Sequence, residues 1–307
     1  MLHFDANLGK DPHVLLTYFR NEFSTTATRL GLEYKSSQYK THAAEFNKSA
    51  AKIIGNAKQM IDAAARSQDW AGTERLSALL MAHYTGCVAM IEGRSAIWPY
   101  EYMAFSRRMG ELWQGFCQLA FDHPLRKLKL IAPPVFQDVR RELQGELAEY
   151  VSSLDLAAAE KSQLHGFYDK VWLLVDSGQI KLELDLHFEQ DGQNVVVDFK
   201  SGFGSNEKGN TNRLLLVATI YKTLVEEYRC LLLVRSPEDQ NNHYFRSLRD
   251  SKVWEAYSGP GAYEKIGEFT GFDLRTWIDS HVDWLEHLNQ DTANLIRESG
   301  MKGYVEW

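Results

Sequence analysis

The sequence predicts a mixed α/β (α+β) protein, in which a largely helical N-terminal half precedes a central mixed sheet flanked by helices. Three observations support this fold class. Residues 1–165 carry apolar residues at helical spacing and almost no strand-like alternation. After residue 167 come short runs rich in branched residues, separated by turn-forming clusters. A helical pattern then leads to one more short apolar run, which is the order of a crossover connection to a parallel strand.

The helices of the first half follow from apolar periodicity and from proline positions. Alanine, leucine and methionine recur at helical spacing in the first two segments. Proline removes a helix hydrogen bond and restricts the residue before it, so Pro99 and the Pro133–Pro134 pair delimit the next two. Ser153 is a plausible N-cap for one more short helix. The predicted helices cover residues 39–65, 69–92, 100–121, 135–156 and 154–165.

The second half begins with three consecutive predicted strands. They are short, rich in branched residues, and separated by turn clusters at 176–178 and 191–194. A helix with apolar periodicity and a buried strand, expected to be parallel to an earlier one, come next. An amphipathic helix closes the chain. The strands are predicted at 171–175, 180–188, 195–201 and 230–234, and the helices at 214–228 and 273–298.

Composition narrows the functional classes. No apolar run reaches the roughly 18 residues of a membrane span, and the first residues lack a secretory signal pattern, so we expect a cytoplasmic protein. The three cysteines, Cys87, Cys117 and Cys230, form no CxxC pair, which argues against a zinc knuckle, an iron–sulfur site or a disulfide framework. A formal net charge of −7 excludes a uniformly basic nucleic-acid coat, although a local basic cleft is compatible with it.

The most informative segment is 181–201, in which two alternating runs flank a tight turn. Strand side chains alternate between the two faces of a sheet, so each run has one apolar face and one polar face. The apolar faces carry Leu182, Leu184, Leu186 and Phe188 in the first run and Val195, Val197 and Phe199 in the second. The opposite faces carry Lys181, Glu183, Asp185 and His187 in the first run and Val196, Asp198 and Lys200 in the second.

If the two runs pair as a hairpin, Asp185, Asp198 and Lys200 converge on one surface, with Glu183 one pleat further along. Two carboxylates and a lysine would then share a site. An ordinary half-solvated antiparallel sheet shows the same alternation, and a D-x-K tripeptide is common. The order of the features favours a functional site: an acidic strand, a turn, the run Val195–Lys200, a glycine-rich loop and a helix that crosses to another strand.

This arrangement resembles the PD-(D/E)xK nuclease superfamily, to which most type II restriction endonucleases belong. In that family the first acid lies on one strand and the acid-x-lysine lies on the next. Here Asp198 follows Asp185 by 13 positions, and Glu183 is a competing first acid at 15. The resemblance covers about residues 171–234 and does not extend to the helical half. Leu184 stands where the family has proline, which weakens the motif without removing a ligand.

The resemblance implies a restriction-endonuclease-like fold and a role for each motif residue. Asp185 would bridge a metal ion, Asp198 and the carbonyl group of Phe199 would complete its coordination, and Lys200 would position or activate the attacking water. Mg²⁺ is the expected cofactor, since hard divalent cations take oxygen ligands. Phosphodiester hydrolysis needs a nucleophilic water and stabilisation of charge on the phosphate, and bound cations provide both.

A further carboxylate is expected from a helix before the sheet, because family members often have one. Glu111, which is flanked by Leu112 and Trp113, is our candidate catalytic residue, with Glu142 and Glu146 as weaker alternatives. The competing interpretation is that Glu111 is a surface residue. It would then pair with Arg107 or Arg108 at helical spacing and contribute only a few tenths of a kcal/mol.

Candidate DNA-binding residues lie in two places. Arg107 and Arg108 form a local cationic cluster that can contact phosphates. The loop that follows Lys200 contains glycines that allow close backbone approach and polar side chains that could read base edges. A flexible connector is the alternative interpretation of this loop. Its candidate residues are Lys208, Asn210, Asn212 and Arg213.

Together these features predict a Mg²⁺-dependent deoxyribonuclease, specifically a type II restriction endonuclease that hydrolyses double-stranded DNA at a short, palindromic site. A two-fold site is matched by a two-fold protein, so a homodimer or higher homo-oligomer is expected. Residues 1–165 would supply the dimer surface and DNA contacts, and 166–307 the nuclease core, with one integrated domain as the alternative. The resemblance also implies a cognate DNA methyltransferase that acts on the same site.

Two rival functions remain open. A repair or recombination nuclease would use the same active site but would recognise DNA structure instead of sequence. A catalytically silent DNA-binding module of the same fold would not need Asp185, Asp198 and Lys200 together. The joint presence of these three residues therefore favours an enzyme.

Overall fold

The protein is a mixed α/β structure with a five-stranded mixed sheet. Most of its other described residues are helical. The computed structural model describes residues 11–176, 181–204, 206–224 and 228–307. It divides into two compact units: the first holds residues up to Leu128 together with Ser258–Trp307, and the second holds Lys129–Tyr257. These bounds differ from a division at residue 165, because the last two predicted helices of the first half lie in the same unit as the sheet.

The helices and strands of the described residues are numbered in chain order. They are α1 (Pro12–Glu33), α2 (Tyr39–Ser67), α3 (Gly72–Ile97), α4 (Tyr102–Asp122), β1 (Lys129–Leu130), α5 (Phe136–Ser153), α6 (Ala158–Asp176), β2 (Leu186–Gln190), β3 (Gln193–Lys200), α7 (Lys208–Thr223), β4 (Tyr228–Val234), α8 (His243–Asp250), β5 (Glu255–Ser258), α9 (Pro260–Thr270), α10 (Leu274–His281), α11 (Trp284–His287) and α12 (Gln290–Glu298).

The first unit is built around α3, which is buried along most of its length and packs against α1, α2 and α4. Helices α2, α3 and α4 occupy the predicted segments within a few residues, so the apolar periodicity predicted them correctly. Cys87 and Cys117 lie in this core as free thiols, and Cys230 is a buried free thiol of the second unit.

The predicted C-terminal helix over 273–298 is broken into α10, α11 and α12, so that prediction was wrong about continuity. Asp273, Asp283 and Asn289 each cap a new helix: their side-chain oxygens accept hydrogen bonds from backbone amides three residues ahead, at 2.9–3.0 Å. A side chain that satisfies an orphan amide stabilises a helix start. The apolar periodicity runs through these positions and conceals the breaks.

In the second unit, the sheet has the order β1-β2-β3-β4-β5. Strands β1 and β2 are antiparallel, β2 and β3 form an antiparallel hairpin, and β3 and β4 are parallel. The hairpin turn is Asp191-Gly192, whose φ angles of 52° and 80° suit a tight two-residue loop. Helix α7 makes the crossover from β3 to β4, so the predicted parallel pair is confirmed.

The strand predicted at 171–175 is wrong, because these residues form the last part of α6. Trp172 packs on the apolar core of the second unit, whereas Val171 and Leu173 are exposed. Extending an existing helix adds a hydrogen bond for each residue, and this outweighs the small strand preference of branched residues. Ser153 is the last residue of α5 and donates to the Tyr150 carbonyl oxygen at 2.7 Å, so it is not the predicted N-cap.

The predicted polar face of the hairpin is also wrong. His187, Val196 and Asp198 are buried, like the apolar residues of the other face. Helix α7 packs on this side, where its Tyr221 hydroxyl lies 2.8 Å from His187 Nε2. A parallel β3–β4 pair requires a crossover helix, and that helix covers a sheet face that a simple hairpin would leave in water.

Across the part of the chain that the structure describes, no helix combines the length and apolarity needed to cross a membrane.

Candidate active site

The β2–β3 hairpin places Asp185 opposite Asp198. Leu186 pairs with Val197, so the residue before β2 lies across from the residue after Val197. Asp185 itself lies in a bend just outside the strand. Its Oδ2 accepts a hydrogen bond from the Phe199 amide at 2.7 Å. This bond holds the Asp185 carboxylate against the backbone of the D-F-K segment, so the two predicted acids are brought together.

Asp198 is buried, with only 1 % of its surface exposed. The Lys200 ammonium forms an ion pair with Oδ2 of Asp198, and the Arg213 guanidinium lies 3.8 Å from Oδ1. Burial raises the pKa of the Asp198 carboxyl and the nearby Asp185 carboxylate raises it further, whereas Lys200 and Arg213 lower it. Removing a carboxylate from water is costly, and the two cations offset that cost.

Lys200 is held at the junction between strand and loop. Its Nζ donates to the Phe199 carbonyl oxygen at 3.3 Å in addition to its contact with Asp198. Its side chain keeps 23 % of its surface exposed. The ammonium therefore lies between a buried carboxylate and solvent, in contact with a carbonyl oxygen that was itself predicted to be a metal ligand.

The loop after Lys200 is tied to the chain that follows β4. Ser236 Oγ donates to the Ser201 carbonyl oxygen at 2.7 Å, and the Phe203 amide donates to Asn241 Oδ1 at 2.8 Å. Gly202 is required by close approach, because a Cβ atom there would lie 2.6 Å from Ser236 Oγ. The first part of this loop is therefore anchored, and it fixes the direction in which the chain leaves Lys200.

The predicted loop over 201–213 is shorter than expected, because α7 begins at Lys208. Lys208, Asn210, Asn212 and Arg213 consequently lie on the first turns of a helix. Lys208, Asn212 and Arg213 are exposed and Asn210 is partly buried. The polar sequence concealed the start of this helix, since its apolar periodicity begins at Leu214. Arg213, predicted to contact bases, instead lies beside Asp198.

The competing first acid, Glu183, is exposed, whereas Asp185 is partly buried and bonded to the D-F-K backbone. Leu182 and Leu184 beside it are buried in the core of the second unit. His187, two residues after Asp185, forms a hydrogen bond with the Tyr221 hydroxyl, and burial lowers the pKa of His187 to about 4. This geometry favours Asp185 as the acid of the site and a structural role for His187.

Glu111 lies on α4 in the first unit, and its carboxylate pairs with both neighbouring arginines. The distance is 2.9 Å to Arg108 and 3.8 Å to Arg107. These contacts have the i, i+3 and i, i+4 spacing of a helix surface. They agree with the interpretation of Glu111 as a surface residue that pairs with its neighbouring arginines. The weaker alternatives Glu142 and Glu146 are exposed on α5.

The donor set at Asp185 and Asp198 consists of oxygen atoms: two carboxylates and the Phe199 carbonyl group. Among the described residues, no group of three or more Asp, Glu, His or Cys side chains is arranged to hold a metal ion. Mg²⁺ is commonly held by one or two carboxylates, with water and substrate phosphate as the other ligands. The residues present therefore fit Mg²⁺ and do not form a closed structural metal site.

Comparison of the chain with protein-family models, with curated proteins and with solved structures gave no match.

Proposed function

We propose that the protein is a Mg²⁺-dependent deoxyribonuclease with a restriction-endonuclease-like core, and that it cuts double-stranded DNA at a short palindromic site as a type II restriction endonuclease. The observation that supports this most strongly is the hairpin register. It places Asp185 opposite Asp198 and binds the Asp185 carboxylate to the Phe199 amide at 2.7 Å. Two acids and Lys200 then share one end of β3.

In the proposed reaction, Asp185, Asp198 and the Phe199 carbonyl group would hold the cation. A bound Mg²⁺ ion would supply a water of lowered pKa and neutralise charge on the phosphate. Asp198 can carry its negative charge in a buried position because Lys200 and Arg213 contact its two oxygens. Lys200 Nζ, as a compact cation with partial access to solvent, would orient the attacking water and stabilise the negative charge that develops on it.

The DNA contacts of this proposal come from the start of α7. Lys208, Asn210 and Asn212 lie within one turn and a half of Arg213, which contacts Asp198. A DNA groove that receives the first turns of α7 would bring a phosphate close to Asp185 and Asp198. It would also bring base edges close to the side-chain amides of Asn210 and Asn212. Lys208 should contribute a phosphate contact, so Lys208→Gln should weaken binding and reduce the salt slope by about one.

The organisation in the cell follows from the same proposal. A palindromic site requires two active sites related by a two-fold axis, so we propose a homodimer or a higher homo-oligomer. A DNA methyltransferase that modifies the same site would protect the host. The proposed setting is the cytoplasm, where both enzymes reach the chromosome. Glu111 is left out of the proposed catalytic set because its carboxylate pairs with Arg108 and Arg107.

Digestion of supercoiled plasmid with and without Mg²⁺ tests the proposal, with Asp198→Asn as the inactive control. Discrete fragments that need Mg²⁺ and disappear in the control are the expected result. A smear that needs Mg²⁺ would contradict cleavage at a specific sequence. It would favour a nuclease that recognises DNA structure or cuts nonspecifically. DNA left intact at all Mg²⁺ concentrations, together with a retained mobility shift, would contradict catalysis and favour the silent DNA-binding module.

A further inference from the structure

A cavity of about 360 Å³ lies in the first unit, between α2, α3 and α4. Its walls carry four cationic side chains, Lys40, Arg94, Arg107 and Arg108, against the single carboxylate of Glu111. The protein as a whole has a net charge of −7. A positive cavity in an acidic protein attracts an anionic ligand. The volume lies within the range of about 300–1,000 Å³ that is typical of small-molecule sites.

Arg94 is the most unusual of these cations, because it is buried with 5 % of its surface exposed. Its guanidinium hydrogen-bonds to the Trp98 carbonyl oxygen and forms no ion pair with a carboxylate among the described residues, although the charge of Glu101 acts on it from further away. Buried charges are normally paired, since an unpaired one loses its hydration without compensation. An anion in the cavity would supply the missing charge.

Aromatic rings hold the Arg94 guanidinium in place. Its centre lies 4.5 Å from the Trp98 ring and 4.0 Å from the Tyr100 ring, both of which line the cavity. Guanidinium groups held by rings keep their planar fork fixed, which suits bidentate recognition of phosphate. Tyr100 is buried, whereas Trp98 is only partly buried, so its ring keeps apolar surface for a planar part of a ligand.

The polar lining of the cavity also includes an acceptor without a hydrogen-bond donor among the described residues. Asn47 lines the cavity, and its buried amide oxygen has no hydrogen-bond partner among the described residues. An inorganic anion cannot satisfy that oxygen unless it is protonated. A ligand that carries hydroxyl or amino groups beside its phosphate can do so.

We propose that this cavity binds a mononucleotide, with its 5′-phosphate on Arg94 and Arg108 and its ring against the aromatic wall. The site is independent of the proposed nuclease site at Asp185 and Asp198. Arg108 keeps 28 % of its side-chain surface exposed and can close on the phosphate from the rim. Glu111 now pairs with Arg108 at 2.9 Å and competes with the phosphate for that cation.

Isothermal titration of the full chain with AMP, GMP, CMP and TMP tests the proposal, with adenosine and inorganic phosphate as partial ligands. At least one mononucleotide should bind, and more tightly than adenosine or phosphate. Arg108→Gln should weaken that binding by roughly tenfold, the worth of one charge-assisted hydrogen bond. Glu111→Gln should tighten it, because the competing carboxylate is lost.

Controls keep the result interpretable. Arg29→Gln removes an exposed arginine of α1 that pairs with Glu33 and does not line the cavity, and it should bind as the parent does. Arg94→Gln should abolish binding, and the Arg108 and Glu111 variants carry the test if it fails to fold. Asp198→Asn should bind the mononucleotide as the parent does, because Asp198 does not line the cavity. A failure of the proposed nuclease site can therefore be told apart from a failure of the cavity site.

Three outcomes would overturn the proposal. One is the absence of binding by all four mononucleotides at millimolar concentration. Another is equal affinity for a mononucleotide and for phosphate or adenosine alone. The third is binding that Arg108→Gln and Glu111→Gln both leave unchanged.

Discussion

Asp198 in the sheet unit and Arg94 in the helical unit are both buried charges, and the structure treats them in different ways. Asp198 meets two cations, Lys200 and Arg213. Arg94 meets two aromatic rings and a carbonyl oxygen, and no carboxylate within ion-pairing distance among the described residues. Counter-charges offset the cost of burying a charge, and that cost stays uncompensated where they are absent. The proposed nuclease site and the proposed nucleotide site therefore differ in how their buried charge is compensated.

The largest effect is expected from Asp198→Asn, which removes the buried charge but keeps the shape of the side chain. DNA cleavage should fall by at least about a hundredfold. The free energy of unfolding should stay within about 1 kcal/mol, because the cost of burying the carboxylate and its two ion pairs are lost together and Lys200 and Arg213 keep access to solvent. Single-turnover cleavage and urea titration measure the two quantities. Cleavage near the parent rate would show that the buried carboxylate serves stability alone.

The next test asks which acid shares the site with Asp198. Asp185→Asn should reduce cleavage by about a hundredfold or more, while its side chain can still accept the Phe199 amide hydrogen bond. Glu183→Gln, the matched exposed control, should change the rate less than about threefold. Single-turnover rates at saturating Mg²⁺ compare the two variants. The reverse ranking would assign the site to Glu183.

Gly202→Ala tests whether the anchored loop keeps Lys200 in position beside Asp198. The added Cβ would lie 2.6 Å from Ser236 Oγ and 3.2 Å from Ser236 Cβ, so either the Ser236 hydroxyl rotates and gives up its hydrogen bond to Ser201 or the loop shifts. We expect a loss of about 1–3 kcal/mol in the free energy of unfolding and a lower cleavage rate. The double variant Gly202→Ala with Ser236→Gly should recover part of both, since the clashing hydroxymethyl group is removed. An unchanged cleavage rate in the single variant would show that the loop does not position Lys200.

A smaller, pH-dependent effect is expected in the helical unit, at His83 on α3. Burial, together with the charge of Lys58, lowers the pKa of His83 to about 3 in the folded protein. The unfolded chain takes up a proton below its pKa of 6.5, and the folded chain does not. The contribution of neutral His83 to the free energy of unfolding is therefore complete above pH 6.5. It is lost on acidification toward pH 3, by about 1.4 kcal/mol for each pH unit.

Urea titrations of the parent and of His83→Gln between pH 7 and pH 5 measure this contribution. The variant should lose stability less steeply on acidification than the parent. Parallel slopes for the two proteins would show that His83 titrates normally in the folded state.

The parts of the fold that sequence predicted well are those in which local and tertiary preferences agree. Helices α2, α3 and α4 and strands β3 and β4 occupy the predicted segments, and Asp191-Gly192 makes the predicted turn. Predictions failed where a local signal was ambiguous. The run at 171–175 has strand-like composition but continues α6, and α7 starts in a polar segment that looked like a loop.

For the candidate site, residue order predicted that Asp185, Asp198 and Lys200 lie close together, because paired strands bring alternate residues to one face. In the structure Asp185 lies in a bend just before β2, and its hydrogen bond from the Phe199 amide holds it near Asp198. Three facts depended on the tertiary structure: the burial of Asp198, the contact of Arg213 with it, and the cavity around Arg94. Each arises where a helix packs on a distant element, α7 on the sheet and α2 and α4 on α3. Spacing within one segment carries no information about which segment will cover it, so these contacts appear only when the chain has folded.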